Sequence, residues 1–225
     1  MGSFVVWVTR DEEADGPLCT ALRARGLAVE LEPVLERRVV ADPAALVAGL
    51  GPDDWLVLTS PFAIEALTGV PAARTPQVAV VGESSRRLAE SLGFRVALVA
   101  ADGHGQTLFD ELRVRVRRGV VCYPRSSLAK APAAWGQVEL RAPVLYETVA
   151  RAFDRTAAQR CAVAAVASPS AVDALLGIDI PLASIGRTTS AAIRRQGREP
   201  AVEAAQPSFE SLADGIAAYA RQLRA

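Results

Sequence analysis

The sequence predicts an α/β protein made of two parallel-sheet domains, each with helices on both faces of its sheet, tied together by a pair of strands. Three observations predict it. Short apolar runs alternate with amphipathic stretches along most of the chain, the pattern of βα units stacked into a parallel sheet. A set of landmarks occurs twice at nearly constant offset: Ser60-Pro61-Phe62-Ala63 and Ser168-Pro169-Ser170-Ala171 lie 108 residues apart, Gly82 and Gly186 104 apart, and the Phe-x-x-Leu starts at Phe109 and Phe209 100 apart. Pro33-Val34-Leu35 returns as Pro143-Val144-Leu145, 110 residues on, so two β-prone runs stand at matching places in the duplication. Paired antiparallel, they carry the chain out of one domain and back.

The elements follow in order. Phe4 to Thr9 reads as a central strand, Leu18 to Arg25 as a helix ended by Gly26, and Ala28 to Leu31 as the next strand. Pro33 breaks the pattern, and the charge-dotted run after it is a strand-like linker. From Pro43 the rhythm resumes with a helix to Leu50, strand Trp55 to Thr59, a helix from Pro61, strand Val78 to Val81 and helix Ser84 to Leu92. Strand Arg95 to Val99, helix Thr107 to Val116 and strand Val120 to Tyr123 complete that run. A helical stretch weakened by Pro132 is expected after Ser127, then Val138 to Leu140 and the second linker strand. Val163 to Ala167, a helix from Pro169, Leu182 to Ile185, a helix at Thr188, strand Glu199 to Val202 and the amphipathic helix Ser208 to Leu223 close the pattern. The first domain is therefore discontinuous, residues 1–34 with 150–225; residues 35–40 and 143–149 are linker strands, and 41–142 form the inserted second domain.

Composition narrows the function. The chain of 225 residues is 51% hydrophobic, enough to bury two modest cores, and its 25 Lys plus Arg balance 25 Asp plus Glu. Without a net basic field, non-specific nucleic-acid binding is not expected, and any anion must be gripped locally. Lys130 is the sole lysine, which leaves 24 arginines as bidentate donors and little amine for Schiff-base chemistry. Cys19, Cys122 and Cys161 are too scattered for a zinc site or disulfide framework, and His104, in a flexible glycine-flanked loop, is the single histidine; no metal is expected. The N-terminal Phe4-Val5-Val6-Trp7-Val8 is a strand rather than a signal peptide or membrane span, which makes the expected compartment the cytoplasm.

The most informative stretch runs from Leu182 to Gly197. Its apolar run suits a covered strand, Gly186 permits a turn that a β-carbon would obstruct, and Thr188 or Thr189 is expected to cap the following helix. A helix start presents unpaired N–H groups and a positive dipole end, a site for a carboxylate or phosphate. The second copy, Gly82-Glu83-Ser84-Ser85, repeats the arrangement with a carboxylate beside the turn.

Taken in order, Val8-Thr9-Arg10, Thr59-Ser60-Pro61 with its counterpart Ser168-Pro169-Ser170, the Val144-Leu145-Tyr146-Glu147-Thr148 crossover and Ile185-Gly186-Arg187-Thr188-Thr189 resemble uroporphyrinogen-III synthases over essentially the whole chain. The resemblance implies two flavodoxin-like or Rossmann-like domains joined by a two-stranded β-ladder, an active cleft between them, and no cofactor. It implies hydroxymethylbilane as substrate and uroporphyrinogen III as product: water is lost from ring A, the chain cyclises, and ring D is inverted through a spiro intermediate. A monomer is expected.

Acetate and propionate arms on every pyrrole need several separated anion sites. Ser60, Ser84, Ser85, Ser168, Thr188 and Thr189 are the candidates, with Arg10, Arg125 and Arg187 as charge partners. Ser85 stands where the family usually has threonine, and Glu83 beside it would repel a substrate arm. Tyr146 is the family-matched candidate for chemistry, since a phenol is protonated at neutral pH and can donate to a departing hydroxyl. Two other classes fit less of the sequence. A non-catalytic tetrapyrrole-binding or sensor protein would use the same anion sites without turnover, and a nucleotide-binding enzyme would need a glycine-rich fingerprint where the chain has Thr9-Arg10-Asp11-Glu12-Glu13.

Overall fold

A computed structural model describes residues 4–100 and 102–224. The chain divides into two compact units, Met1–Glu36 with Val149–Ala225, and Arg37–Thr148. The discontinuous unit holds β1 (Val5–Val8), α1 (Pro17–Arg23) and β2 (Ala28–Leu31); β3 (Leu35–Val39) then carries the chain across the division. The inserted unit contains α2 (Pro43–Val47), β4 (Trp55–Leu58), α3 (Pro61–Ala66), β5 (Gln77–Val81), α4 (Gly82–Ser91), β6 (Val96–Ala100), α5 (Gly105–Arg115), β7 (Arg118–Cys122), β8 (Arg125–Ser126) and β9 (Gln137–Arg141). The return strand is β10 (Val144–Ala150), followed by α6 (Ala157–Arg160), β11 (Val163–Val166), α7 (Pro169–Ala174), β12 (Leu182–Ser184), α8 (Arg187–Arg195), β13 (Val202–Glu203) and α9 (Phe209–Gln222).

Each unit is built on a five-stranded parallel sheet, ordered β13-β12-β11-β1-β2 in one and β6-β5-β4-β7-β9 in the other. Side-chain alternation explains why both faces are covered. Val6 and Val8 enter a core shared with α1 and α9, while Trp7 between them enters the core under α7 and α8. Leu56 and Leu58 likewise pack with α3 and α4, and Trp55 and Val57 with α5. A strand buried on both sides must be apolar throughout, as β1 and β4 are.

The two orders match position for position, β13 with β6, β12 with β5, β11 with β4, β1 with β7 and β2 with β9. The duplication seen in sequence is therefore present in space with its parts exchanged. The short β8 aside, each sequence repeat runs through two strands, a crossover strand and three more strands, and each unit joins the opening pair of one repeat to the closing triplet of the other. Pro33 and Pro143 stand where the chain leaves each pair.

The crossover strands are neighbours in a three-stranded sheet ordered β3-β10-β8. Val40 N–H donates to Leu145 O and Arg151 N–H to Val34 O, both at 2.9 Å, so β3 and β10 run in opposite directions. The short β8 adds a third strand, parallel to β10, to the expected pair.

The helix expected after Ser127 is absent; residues 127–136 form turns and irregular chain. Pro132 removes an N–H and disfavours helical geometry at Ala131. The Arg125 guanidinium donates to the carbonyls of Ser126 and Ala129 at 3.1 and 2.6 Å, acceptors that a helix there would need. The strand expected over Glu199 to Val202 contracts to β13, and the short α6 had no clear sequence signal.

Candidate functional site

In a parallel sheet, ligands gather at the carboxyl ends of the strands, above all where successive connections leave in opposite directions. That point lies between β1 and β11 in one unit and between β4 and β7 in the other. Arg10 and Ser168 follow β1 and β11, Ser60 follows β4, and Ser84, Ser85, Arg187, Thr188 and Thr189 follow the next strands out, β5 and β12.

On the β1–β11 rim, buried Thr9 Oγ1 donates to Ala165 O at 2.8 Å and pins the two strand ends. Arg10 follows, its Nε 3.3 Å from Glu12 Oε2 and its guanidinium carbon 4.4 Å from the centre of the Phe209 ring. Its Nη1 is buried without a hydrogen-bond partner. Glu12 also accepts from Cys19 N–H at 2.8 Å, so the start of α1 is already filled by a carboxylate of the chain. Ser168 is the N-cap of α7, its hydroxyl accepting from Ala171 N–H at 3.2 Å.

The start of α8 differs from the expected cap. Gly186 is the N-cap and has no side-chain bond to offer, so Thr188 and Thr189 lie within the first turn and do not cap it. Gly186 has an extended backbone, φ 163°, open to any residue, and an added β-carbon would lie an ordinary 3.7 Å from Pro207 Cβ; the turn does not require glycine. The uncapped first-turn N–H groups still form an anion-accepting end. Arg187 and Thr188 are exposed there, Thr189 is buried, and buried Ser184 and Ser190 join their hydroxyls at 2.5 Å beneath them. A cavity of about 560 Å³ opens between Gly186–Thr188 and Glu203–Pro207.

On the β4–β7 rim, Thr59 Oγ1 lies 3.2 Å from the hydroxyl of Tyr123, whose buried ring stands edge-on to Phe109 at 5.1 Å. Ser60 occupies the N-cap position of α3 but makes no capping bond. Tyr146, only 8% exposed, packs edge-on against Phe62 at 4.8 Å, and the Arg37 guanidinium covers the same ring at 5.2 Å. At the next strand end Gly82 has φ 75°, where glycine is needed. Ser84 and Ser85 lie inside α4, exposed and buried respectively, and neither caps it. Glu83 is within 3.6 Å of Arg86 and 3.7 Å of Arg87, which offset the repulsion expected of it.

Arg125 does not join this group. Its Nε donates to Ala142 O at 3.0 Å and its Nη1 to two further carbonyls, so the side chain holds the β7–β9 connection in place. Glu12, Thr59 and Tyr123 are rim residues that sequence reasoning passed over, although Thr59 and Tyr123 directly follow strand ends and Glu12 lies in the turn after β1.

The chemistry on offer is hydrogen-bond donation and anion binding. Burial pushes the thiols of Cys19, Cys122 and Cys161 up to about 11, which leaves them protonated and inert as nucleophiles. Among the described residues no group of three or more His, Cys, Asp or Glu side chains could hold a metal ion, and no helix is long and apolar enough to cross a membrane.

Each unit is a parallel α/β sheet with hydroxyl side chains and helix starts at its carboxyl rim, the place where α/β sheets of this class bind small molecules. Residues 17–214 match the family model described as uroporphyrinogen-III synthase HemD, and the chain belongs to that family, the cyclising lyases of tetrapyrrole biosynthesis. Its enzymes take hydroxymethylbilane to uroporphyrinogen III. Solved structures of uroporphyrinogen III synthase from Thermus thermophilus are similar. A substituted form is 16% identical with a TM-score of 0.48, covering 98% of this chain and 100% of its own. The wild type is 17% identical with a TM-score of 0.43, covering 99% and 100%. No curated protein sequence matches the chain.

Proposed function

We propose that this chain closes hydroxymethylbilane into uroporphyrinogen III through the rim residues described above, acting as a cytoplasmic monomer. The family match across residues 17–214 carries the reading. The substrate bears a carboxylate on every acetate and propionate arm, and the protein has no net charge to attract it. Local donors must supply the grip: the open start of α8 with Arg187, Thr188 and Thr189, the orphaned Nη1 of Arg10, and the hydroxyls of Ser60, Ser84, Ser85 and Ser168.

Tyr146 donates a proton to the hydroxyl leaving ring A, which departs as water while the pyrrole nitrogen lone pair forms the exocyclic methylene cation. Ring D attacks through its substituted carbon, the spiro intermediate fragments and recloses inverted, and loss of a proton restores aromaticity. The pyrroles supply much of the driving force, so the protein's main contribution is to hold the chain curled with its ends in reach. Arg125 contributes least to this binding set, because its Nε and Nη1 are engaged by the carbonyls of Ser126, Ala129 and Ala142.

Titration with uroporphyrinogen III under oxygen-free conditions tests the anion sites. Thr189→Ala should weaken binding more than Ser85→Ala, because the α8 start opens on the 560 Å³ cavity at Arg187 and Thr188 and carries Arg187 where the α4 start carries Glu83. Equal or reversed losses contradict that ranking, and no binding by the wild type contradicts the function.

A further inference from the structure

Matching the two units strand by strand exposes one difference with a chemical consequence. Between β1 and β2 the chain forms α1, which packs along α9; between the equivalent β7 and β9 there is no helix, and the equivalent of α9, α5, lacks that neighbour. The irregular segment instead stands off, anchored at its far end by the Trp135 indole, which donates to Val116 O at 2.9 Å. A cavity of about 450 Å³ is left between it and the first turns of α5.

Its aromatic wall is the Phe109–Tyr123 pair, with Ala131 and Pro132 opposite and Gly105, Gln106 and Lys130 around it. A β-carbon on Gly105 would lie 3.9 Å from the Thr59 methyl, so the cavity adjoins the β4–β7 rim. The two cations on its lining differ. Arg113 is committed, 2.7 Å from Asp110 and stacked over Trp135 at 5.4 Å. Lys130 is exposed and has no ion pair among the described residues.

We infer that this cavity seats one acid-bearing pyrrole of the tetrapyrrole, its ring against Phe109 and Tyr123 and a carboxylate arm on the Lys130 ammonium, which makes Lys130 a specificity-determining residue. The inference rests on the function proposed above. An apolar wall of aromatic rings suits the face of a pyrrole, and a single free ammonium beside it suits a single carboxylate. The loop that carries Lys130 exists because Pro132 and the Arg125 hydrogen bonds prevent a helix there.

The test is the dissociation constant of uroporphyrinogen III, with KM and kcat for hydroxymethylbilane alongside. Lys130→Gln should raise Kd and KM about fivefold to tenfold and leave kcat within about twofold, and Lys130→Arg should restore most of the affinity. The gap between wild type and Lys130→Gln should shrink as salt is raised. Ala131→Trp, on an exposed segment, fills the cavity without touching charge and should weaken binding by a similar factor. An unchanged Kd in Lys130→Gln overturns the assignment, whatever Ala131→Trp does. Wild-type protein that binds the product but yields no type III isomer would remove the catalytic reading alone, because the Kd comparison remains readable.

Discussion

Replacing Tyr146 by phenylalanine separates the phenol oxygen from the ring that carries it. The ring is structural: it is 8% exposed, belongs to the core with Leu145, Leu56 and Ile64, and meets Phe62 at 4.8 Å. The hydroxyl has no hydrogen-bond partner among the described residues, so its removal costs the fold no internal bond. Stability should change by less than about 0.5 kcal/mol, and the melting temperature by less than about 2 °C. Activity should respond differently. Positioned proton donors contribute about 10²–10⁴ in rate, and a leaving group assisted by pyrrole nitrogen needs less, so type III product should form roughly 10- to 100-fold more slowly. That is about 1.4–2.7 kcal/mol of lost transition-state stabilisation. Tyr146→Ala, by contrast, deletes the ring and should destabilise by about 3–5 kcal/mol, confounding the two roles. The assay is the initial rate with freshly generated hydroxymethylbilane, paired with thermal unfolding by circular dichroism. Wild-type activity in Tyr146→Phe would remove the phenol from the mechanism, and a large fall in melting temperature would show that the hydroxyl has a structural partner after all.

The remaining predictions follow from local geometry. Ser168→Ala removes a capping bond of 3.2 Å and should cost about 1 kcal/mol, or roughly 2–4 °C in melting temperature, whereas Ser60→Ala removes none and should stay within about 0.5 kcal/mol; equal losses would refute the cap assignment. The three buried thiols, raised by burial from 9.0 to about 11, should resist an aromatic disulfide reagent at pH 8 until the chain is unfolded. The same shifts set a pH dependence. The unfolded chain releases these protons at lower pH than the folded one, so their contribution is complete below about pH 9 and is lost as the pH rises through 11. Denaturation midpoints that fail to fall across that window would contradict the sign.

The parallel α/β architecture was legible because β1 and β4 are apolar at every position and recur with amphipathic stretches between them. The duplication was legible too, from Ser60 and Ser168 and from Phe109 and Phe209. The strand order within each sheet was not, since which strand pairs with which is a long-range choice that local patterning does not record. Site positions were easier to read than site roles. Thr189 and Ser85 lie in the first turns of their helices, but whether a hydroxyl caps depends on where the helix begins, and the N-caps are Gly186 and Val81, three and four residues earlier. Arg125 shows the same limit: an arginine after a strand end suggests an anion partner, and nothing in the sequence shows that its Nε and Nη1 also reach the carbonyls of Ala142 and Ala129. Over residues 127–136 the alanine and leucine content favours a helix, and Pro132 with the Arg125 hydrogen bonds prevents one.

What separates this chain from a mere tetrapyrrole binder is that it directs ring closure as well as binding the ring. Unassisted hydroxymethylbilane closes without rearrangement to the type I isomer. Incubating freshly generated hydroxymethylbilane with the purified full chain, oxidising the products and separating the isomers chromatographically should give predominantly type III, in proportion to enzyme and faster than spontaneous closure. Type I product at the uncatalysed rate, from protein that is folded and binds uroporphyrinogen III, would contradict the claim and leave a tetrapyrrole-binding protein in its place.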